Sequence, residues 1–180
     1  WSTVAEAAID EGALWINDIS AGRYDEKMAG LIADRGVSVV LMHSRGTSAT
    51  MQTLTDYKYG VIEIRDELVR DVQKFLDAGV KPEQIILDPG VGFAKTADQN
   101  VELLRSLSEF KKLGYPLLVG TSRKSFIGKI TGRETVDRLH GTLASVASAY
   151  LRGAQIFRVH DVKETIDFLK VFSEIEKELP

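Results

Sequence analysis

One unit recurs five times along the chain: an amphipathic stretch, a glycine, then a short apolar run. The glycines are Gly12, Gly36, Gly79, Gly114 and Gly153. Behind them come Leu14-Trp15-Ile16, Val37 to Met42, Ile85-Ile86-Leu87, Leu117-Leu118-Val119 and Ile156 to Val159. Glycine is favoured just past a helix end because it enters the left-handed region without a Cβ clash. Short apolar runs that do not strictly alternate fit parallel strands covered on both faces. Unbroken alternation of helix and strand therefore predicts a parallel α/β architecture. The units are not self-similar, so they are not solenoid repeats. No Gly-rich dinucleotide turn follows the first run.

Two layouts satisfy this alternation: a doubly wound sheet, or part of a (βα)8 barrel. A full barrel takes about 250 residues and about eight strands. With five strands in 180 residues, the barrel layout places about three βα units upstream. Trp1 to Glu6 already reads as a helix start, which predicts that the chain is truncated at its N-terminus.

The helical stripes read as core. Val61, Ile64, Leu68, Val72, Phe75 and Leu76 make one apolar face, and Val101, Leu104, Leu107 and Phe110 make another. Leu139, Leu143, Val146, Ala147 and Tyr150 line a third. The last helix opens on a capping box, Asp161 to Glu164, followed by Ile166, Leu169 and Phe172. The longest irregular stretch, His43 to about Tyr59, exceeds a typical βα loop and is a candidate lid.

Composition narrows the function classes. The net charge is −3 and basic residues are interspersed with acids, which is no footprint for nucleic acid. The absence of cysteine excludes disulfides and thiolate metal sites and permits a reducing compartment. No apolar run approaches the length of a membrane span, and no signal-peptide pattern opens the chain.

In either layout, ligands bind at the carboxyl ends of the strands. Every run here ends in a polar cluster: Asn17-Asp18 with Ser20 and Gly22; His43 to Thr47; Asp88 to Lys95; Thr121 to Ser125; and Arg158, His160 and Asp161. Some members have plain structural roles. Asp18 suits a turn cap, Asp161 a helix cap, His43 a satisfied histidine under a loop and Lys95 a solvated side chain. Asp88 is different, because it closes an apolar run where a carboxylate needs a partner or a ligand. Arg158 interrupts its strand in the same way. Five coincident polar ends predict one shared small-molecule site. Arg158 and His160, two apart on a strand, share a face and suit a phosphate or diphosphate. Asn17 and Asp88 offer a donor and an acceptor that a heterocycle with amide and amino edges would satisfy, and Lys124 could bridge the two regions. No Ser-His-Asp arrangement or zinc-ligand spacing is evident.

Five motifs carry a family resemblance: Ile16 to Ser20; Leu41-Met42-His43 with Arg45-Gly46-Thr47 and Met51; Asp88 to Phe93; Ser122 to Ser125; and Arg158 to Val162. In this order, over essentially the whole chain, they resemble the dihydropteroate synthases. The resemblance implies a pterin-binding (βα)8 barrel with its first three strands upstream, and residues 1–180 as one domain incomplete at its N-terminus. It implies condensation of 6-hydroxymethyl-7,8-dihydropterin diphosphate with p-aminobenzoate. By resemblance, Asn17, Asp88, Lys124 and Arg158 bind the pterin, and Arg158 and His160 the diphosphate. Gly92, Phe93, Lys124 and Ser125 border the p-aminobenzoate site. Asp88, Lys124, Arg158 and His160 are the implied catalytic residues. Mg²⁺ is expected with the diphosphate, with no metal ligand in this chain. A homodimer is expected for the full-length protein, with no nucleic-acid or membrane partner. The expected compartment is the cytoplasm, or the mitochondrion for a eukaryotic multifunctional enzyme. Phe93-Ala94-Lys95 and His43 to Gly46 are similar to fungal-type sequences. Two alternatives stand beside this reading. A methyltetrahydrofolate-type methyltransferase would share the pterin pocket without needing the Arg158/His160 pair. An isolated barrel fragment would be inactive.

Overall fold

The computed structural model describes residues 1–177. Five strands alternate with helices: β1 (Trp15–Asp18), β2 (Ser38–Met42), β3 (Ile85–Asp88), β4 (Leu118–Val119) and β5 (Ile156–Phe157). The helices are α1 (Ser2–Asp10), α2 (Lys27–Arg35), α3 (Val61–Asp77), α4 (Ala97–Arg105), α5 (Ser108–Lys111), α6 (Ser125–Thr131), α7 (Leu139–Leu151) and α8 (Val162–Ile175). All five glycines have positive φ, as expected; Gly36 is the left-handed cap of α2 at φ 66°.

Strands β1, β2 and β3 pair in parallel, as do β4 and β5. A parallel bridge between Leu87 and Leu117, with Leu87 N donating to Pro116 O at 2.9 Å, joins the two groups. The strands therefore succeed one another in space in chain order. A doubly wound sheet reverses direction at a switch point, and this sheet has none between β1 and β5, which removes that layout.

Alternation along the strands divides the core. Val39, Leu41, Ile85, Leu87, Leu117 and Val119 face the helices and belong to the main core with Ile32, Leu68, Phe75, Leu103 and Phe110. The opposite face carries a small cluster, Val40, Ile86 and Leu118, with Ile156 against it. One face thus packs under helices and the other forms an apolar floor.

The predicted stripe on α3 is buried at Val61, Ile64, Leu68, Val72 and Phe75. The Val101–Phe110 stripe also packs inward, but it is split between α4 and α5, because Ser106 N bonds both Glu102 O and Leu103 O and closes the first helix. The expected face of α7 needs correction. Its buried residues are Thr142, Ser145, Val146 and Ala149, whereas Leu139, Leu143, Ala147 and Tyr150 are half-buried. The loop after β4 has polar groups to satisfy: Thr142 Oγ1 accepts from Arg123 N at 3.0 Å, and Ser145 Oγ lies 2.8 Å from Thr121 Oγ1. On α8, Thr165 is the buried residue and Ile166 is 46% exposed. The capping box also fails to form. Asp161 occupies the cap position without a side-chain cap bond, because Arg123 holds its carboxylate through Nε at 3.0 Å and Nη2 at 2.5 Å. No helix among the described residues is long and apolar enough to cross a membrane.

Candidate active site

The strands deliver their polar ends over the apolar floor. Asn17 is in register with Val40, and Asp88 with Met42, so both share the floor's face. Asn17 is exposed there, whereas Asp88 is 7% exposed. Asp88 Oδ1 accepts from Gly90 N at 2.8 Å. Burial pushes the Asp88 carboxyl up, and the Gly90 hydrogen bond with Lys124, Lys95 and Arg158 opposes that rise. One buried carboxylate is thus faced by three cations.

Gly92 makes this approach possible. A Cβ on Gly92 would stand 2.9 Å from Lys124 Cδ. On Gly120, just past β4, it would meet Arg158 Cβ at 3.8 Å and Lys124 Nζ at 3.9 Å, ordinary contacts that place both side chains beside this strand end. Lys124 Nζ lies 4.8 Å from the Phe93 ring centroid and donates to Val91 O. Burial lowers the Lys124 ammonium to about 8, against the pull of Asp88 and with the push of Arg158. Asp88, Gly92, Phe93, Lys124 and Arg158 are therefore brought together. Ser125, exposed, opens α6 directly after Lys124.

Arg158 and His160 do not share a strand face as expected. β5 ends at Phe157, because β4 turns away beyond Val119 and offers no further ladder; the last link is Arg158 N to Val119 O at 3.2 Å. Both side chains are exposed past the strand end. His160 is instead fixed by the buried Ser122, whose Oγ accepts from His160 N at 3.1 Å and lies 2.9 Å from Nδ1. The neighbouring Arg123 takes φ 57°, costly for a residue with a Cβ. Asp161, Thr142 Oγ1 and Arg138, whose Nη1 donates to Arg123 O at 2.9 Å, hold it there.

Asp18 is the expected turn cap, accepting from Ser20 N at 2.9 Å, Ser20 Oγ at 2.7 Å and Gly22 N at 2.6 Å. His43 is fully buried, also as expected. Lys95 is a correction: it is 3% exposed, not solvated, because Ala94 at φ 50° turns the chain inward. Its Nζ lies 2.9 Å from His43 Nδ1 and donates to Gly90 O at 3.0 Å and Phe93 O at 2.9 Å. His43 Nε2 lies 2.9 Å from Glu67 Oε2, and Glu67 receives Arg45 through Nε at 3.1 Å and Nη2 at 2.5 Å. Burial lowers the Lys95 ammonium to about 7 and the His43 imidazole to about 4. Burial pushes Glu67 up, but the hydrogen bonds from His43 and Arg45 outweigh it and leave it at about 2. Sequence reasoning missed Glu67. Its one signal is its place on α3, beside Leu68 and three residues after Ile64, at the flank of the buried stripe.

The long loop after β2 is anchored at both ends. Arg45 lies 3.9 Å from the Tyr57 ring centroid, and Tyr57 Oη donates to Ala94 O at 2.9 Å. Residues 46–50 between these anchors are exposed.

Fold and site define a parallel α/β protein that gathers three cations around one buried carboxylate at its strand ends, above an apolar floor. Residues 1–160 match the family described as pterin binding enzyme. The chain belongs to that family. It is 48% identical over 169 residues to a dihydropteroate synthase of Synechocystis sp., covering 93% of this chain and 58% of that protein. It is 45% identical to the folic acid synthesis protein fol1 of Pneumocystis carinii, covering 99% of this chain and 25% of that one. The dihydropteroate synthase of Xanthomonas albilineans, solved in complex with 7,8-dihydropteroate, superposes with a TM-score of 0.92 at 37% identity, covering 99% of this chain and 65% of that chain. The chain thus spans well under two thirds of the length of the curated relatives named here.

Proposed function

We propose that this chain carries the strand-end half of a dihydropteroate synthase site, condensing 6-hydroxymethyl-7,8-dihydropterin diphosphate with p-aminobenzoate. The observation that carries the reading is the buried Asp88 carboxylate beneath Lys124 and Arg158, walled by Gly92 and Phe93. A buried carboxylate without a protein cation in direct contact suits a ligand's N–H edge, here the amino and ring N–H groups of the pterin. Asn17, on the same face, supplies a second polar contact to that ring. Lys124 donates to the heterocycle and lies beside the arylamine. Arg158 and His160 hold the diphosphate. Gly92 and Phe93 border the p-aminobenzoate ring, and Ser125 takes its carboxylate.

In the reaction, the bond between the pterin methylene carbon and the diphosphate oxygen breaks, and its electron pair leaves with pyrophosphate. The arylamine lone pair forms the new C–N bond, and the amine loses a proton. Arg158 and His160 compensate the charge that develops on the leaving group, and Asp88 the positive charge on the pterin. No side chain needs to become covalently attached. Mg²⁺ is proposed as a companion of the diphosphate. The described residues include no group of three or more histidine, cysteine, aspartate or glutamate side chains able to hold a metal, so no protein ligands are assigned to it.

The single direction of winding and the apolar inner face support a wider reading, in which the sheet is an arc of a (βα)8 barrel. Residues 1–180 would then form part of one pterin-binding domain. A homodimer, and a cytoplasmic or mitochondrial location, belong to the same proposal. The test is to incubate the full-length protein with both substrates and measure 7,8-dihydropteroate and pyrophosphate. Stoichiometric formation of the two is expected; methyl transfer from methyltetrahydrofolate in their place would overturn the assignment.

A further inference from the structure

We propose that Lys95 is a positioning residue for the p-aminobenzoate side of the site, an internal ammonium staple whose protonation partner is set from α3 by Glu67 through His43. The inference rests on the transferase reading for its substrate, but not for its geometry.

An ammonium has three hydrogens and no acceptor. Lys95 Nζ has three neighbours within hydrogen-bond reach: Gly90 O, Phe93 O and His43 Nδ1. All three are accepted if His43 Nδ1 carries a lone pair, which puts the imidazole proton on Nε2. Nε2 faces the Glu67 carboxylate, which can only accept when ionised. Glu67 therefore fixes the tautomer, and Arg45 holds Glu67 in place. Each contact along Arg45–Glu67–His43–Lys95 then pairs one donor with one acceptor. A neutral amine at position 95 would leave one of three buried acceptors without a donor.

The two carbonyls bracket the segment from Gly90 to Phe93. Two more of its polar groups are committed: Val91 O accepts from Lys124, and Gly92 N donates to Asn100 Oδ1 at 2.5 Å. Gly90 is pressed so closely on the strand-end backbone that a Cβ there would stand 1.8 Å from His43 O. Lys95 thus closes the segment from below while Lys124 closes it from above. The edge of Gly92 and the ring of Phe93, which face the arylamine in this reading, take their positions from that closure. The backbone of Asp88 is fixed in β3 opposite Met42, and its carboxylate meets the segment through Gly90 N and feels Lys95 as one of three cations. The staple should therefore act on one substrate more than on the other.

The test compares the unmutated full-length protein with Lys95→Met, which keeps the apolar stem and removes the donors, and with Lys95→Ala, assayed with and without n-propylammonium, the atoms that variant lacks. The expected result is a rise of about tenfold or more in KM for p-aminobenzoate, with KM for the pterin diphosphate changed by less than about threefold. Amide hydrogen exchange should accelerate at Gly92 and Phe93, and n-propylammonium should restore part of the loss in Lys95→Ala. Equal effects on both substrates, or a lowered melting temperature with both KM values unchanged, would overturn the proposal. If neither variant folds, the unmutated protein decides. A slowly exchanging Lys95 ammonium signal by nitrogen NMR below about pH 7 supports the staple, and a freely exchanging one sinks it. Absence of dihydropteroate formation by the unmutated protein would remove the transferase reading, and the exchange measurements at Gly92 and Phe93 would still judge the staple.

Discussion

Gly92 and Lys124 are in contact with no room for another atom between them: a Cβ at position 92 would stand 2.9 Å from Lys124 Cδ. The absent side chain is what lets the lysine stem lie along the loop and bring its ammonium over Phe93. Gly92→Ala should displace Lys124 and also strain the backbone, which sits at φ 84°. A fall of about tenfold or more in kcat/KM, with a stability loss of about 1 kcal/mol or more, is expected. Steady-state kinetics and thermal melting check this; unchanged kinetics would mean that the lysine has another way to reach its place.

Lys124→Ala should raise KM for the pterin diphosphate and lower kcat, costing about 1.5–3 kcal/mol if the ammonium bonds a buried ligand. In the unmutated protein, kcat/KM for that substrate should fall as pH rises through about 8, where Lys124 loses its charge. The stability sign is opposite. The folded-state pKa lies below the ordinary lysine value, so this group's contribution to stability rises across that window. Falling kcat/KM with a retained melting temperature is the expected pattern, and parallel losses of both would refute it.

Arg158→Lys keeps the charge but loses the two-pronged guanidinium, so pyrophosphate affinity should drop about tenfold. Ser122→Ala should weaken the same affinity by about threefold or more, because it frees the His160 ring from its anchor. Calorimetry with inorganic pyrophosphate measures both. Full affinity in Arg158→Lys would place the anion elsewhere.

Acid should loosen the Glu67–His43 pair in two steps. The imidazole is held neutral at about 4, below the ordinary histidine value, so stability from this group is lost as pH falls from about 6.5 toward 4. The carboxyl of Glu67 is held at about 2, so its contribution is lost between the ordinary glutamate value and that point. The His43 step is on the order of 1–3 kcal/mol. Melting temperature measured from neutral to acidic pH should therefore decline earlier in the unmutated protein than in His43→Leu. Identical pH profiles would show that His43 does not titrate with unfolding.

The helix–glycine–strand order was readable in the chain because each signal is local. Gly36 ends a helix by its own φ, and Ile85 to Leu87 is apolar whatever its neighbours do. Asp88 was readable for the same reason, as a carboxylate closing such a run. What escaped depends on partners distant in sequence. Lys95 looks solvated until His43 is found 2.9 Å away. Asp161 looks like a cap until Arg123 claims it. The hydroxyl face of α7 is buried because the loop after β4 needs Thr142, which no periodicity on α7 itself could announce. Glu67 reads as one more surface acid on an amphipathic helix, since nothing in its neighbourhood in sequence names His43.

The strands succeed one another in space in the order in which they occur in the chain, and this bears on how the molecule comes into being. Among the described strands no pairing has to wait for a strand several units further on: β2 can dock on β1, β3 on β2, and so on, each addition closing one modest loop. Such a sheet can grow in the direction of synthesis, with each emerging unit meeting an edge already formed. The same order leaves the newest edge open at every stage until its successor arrives.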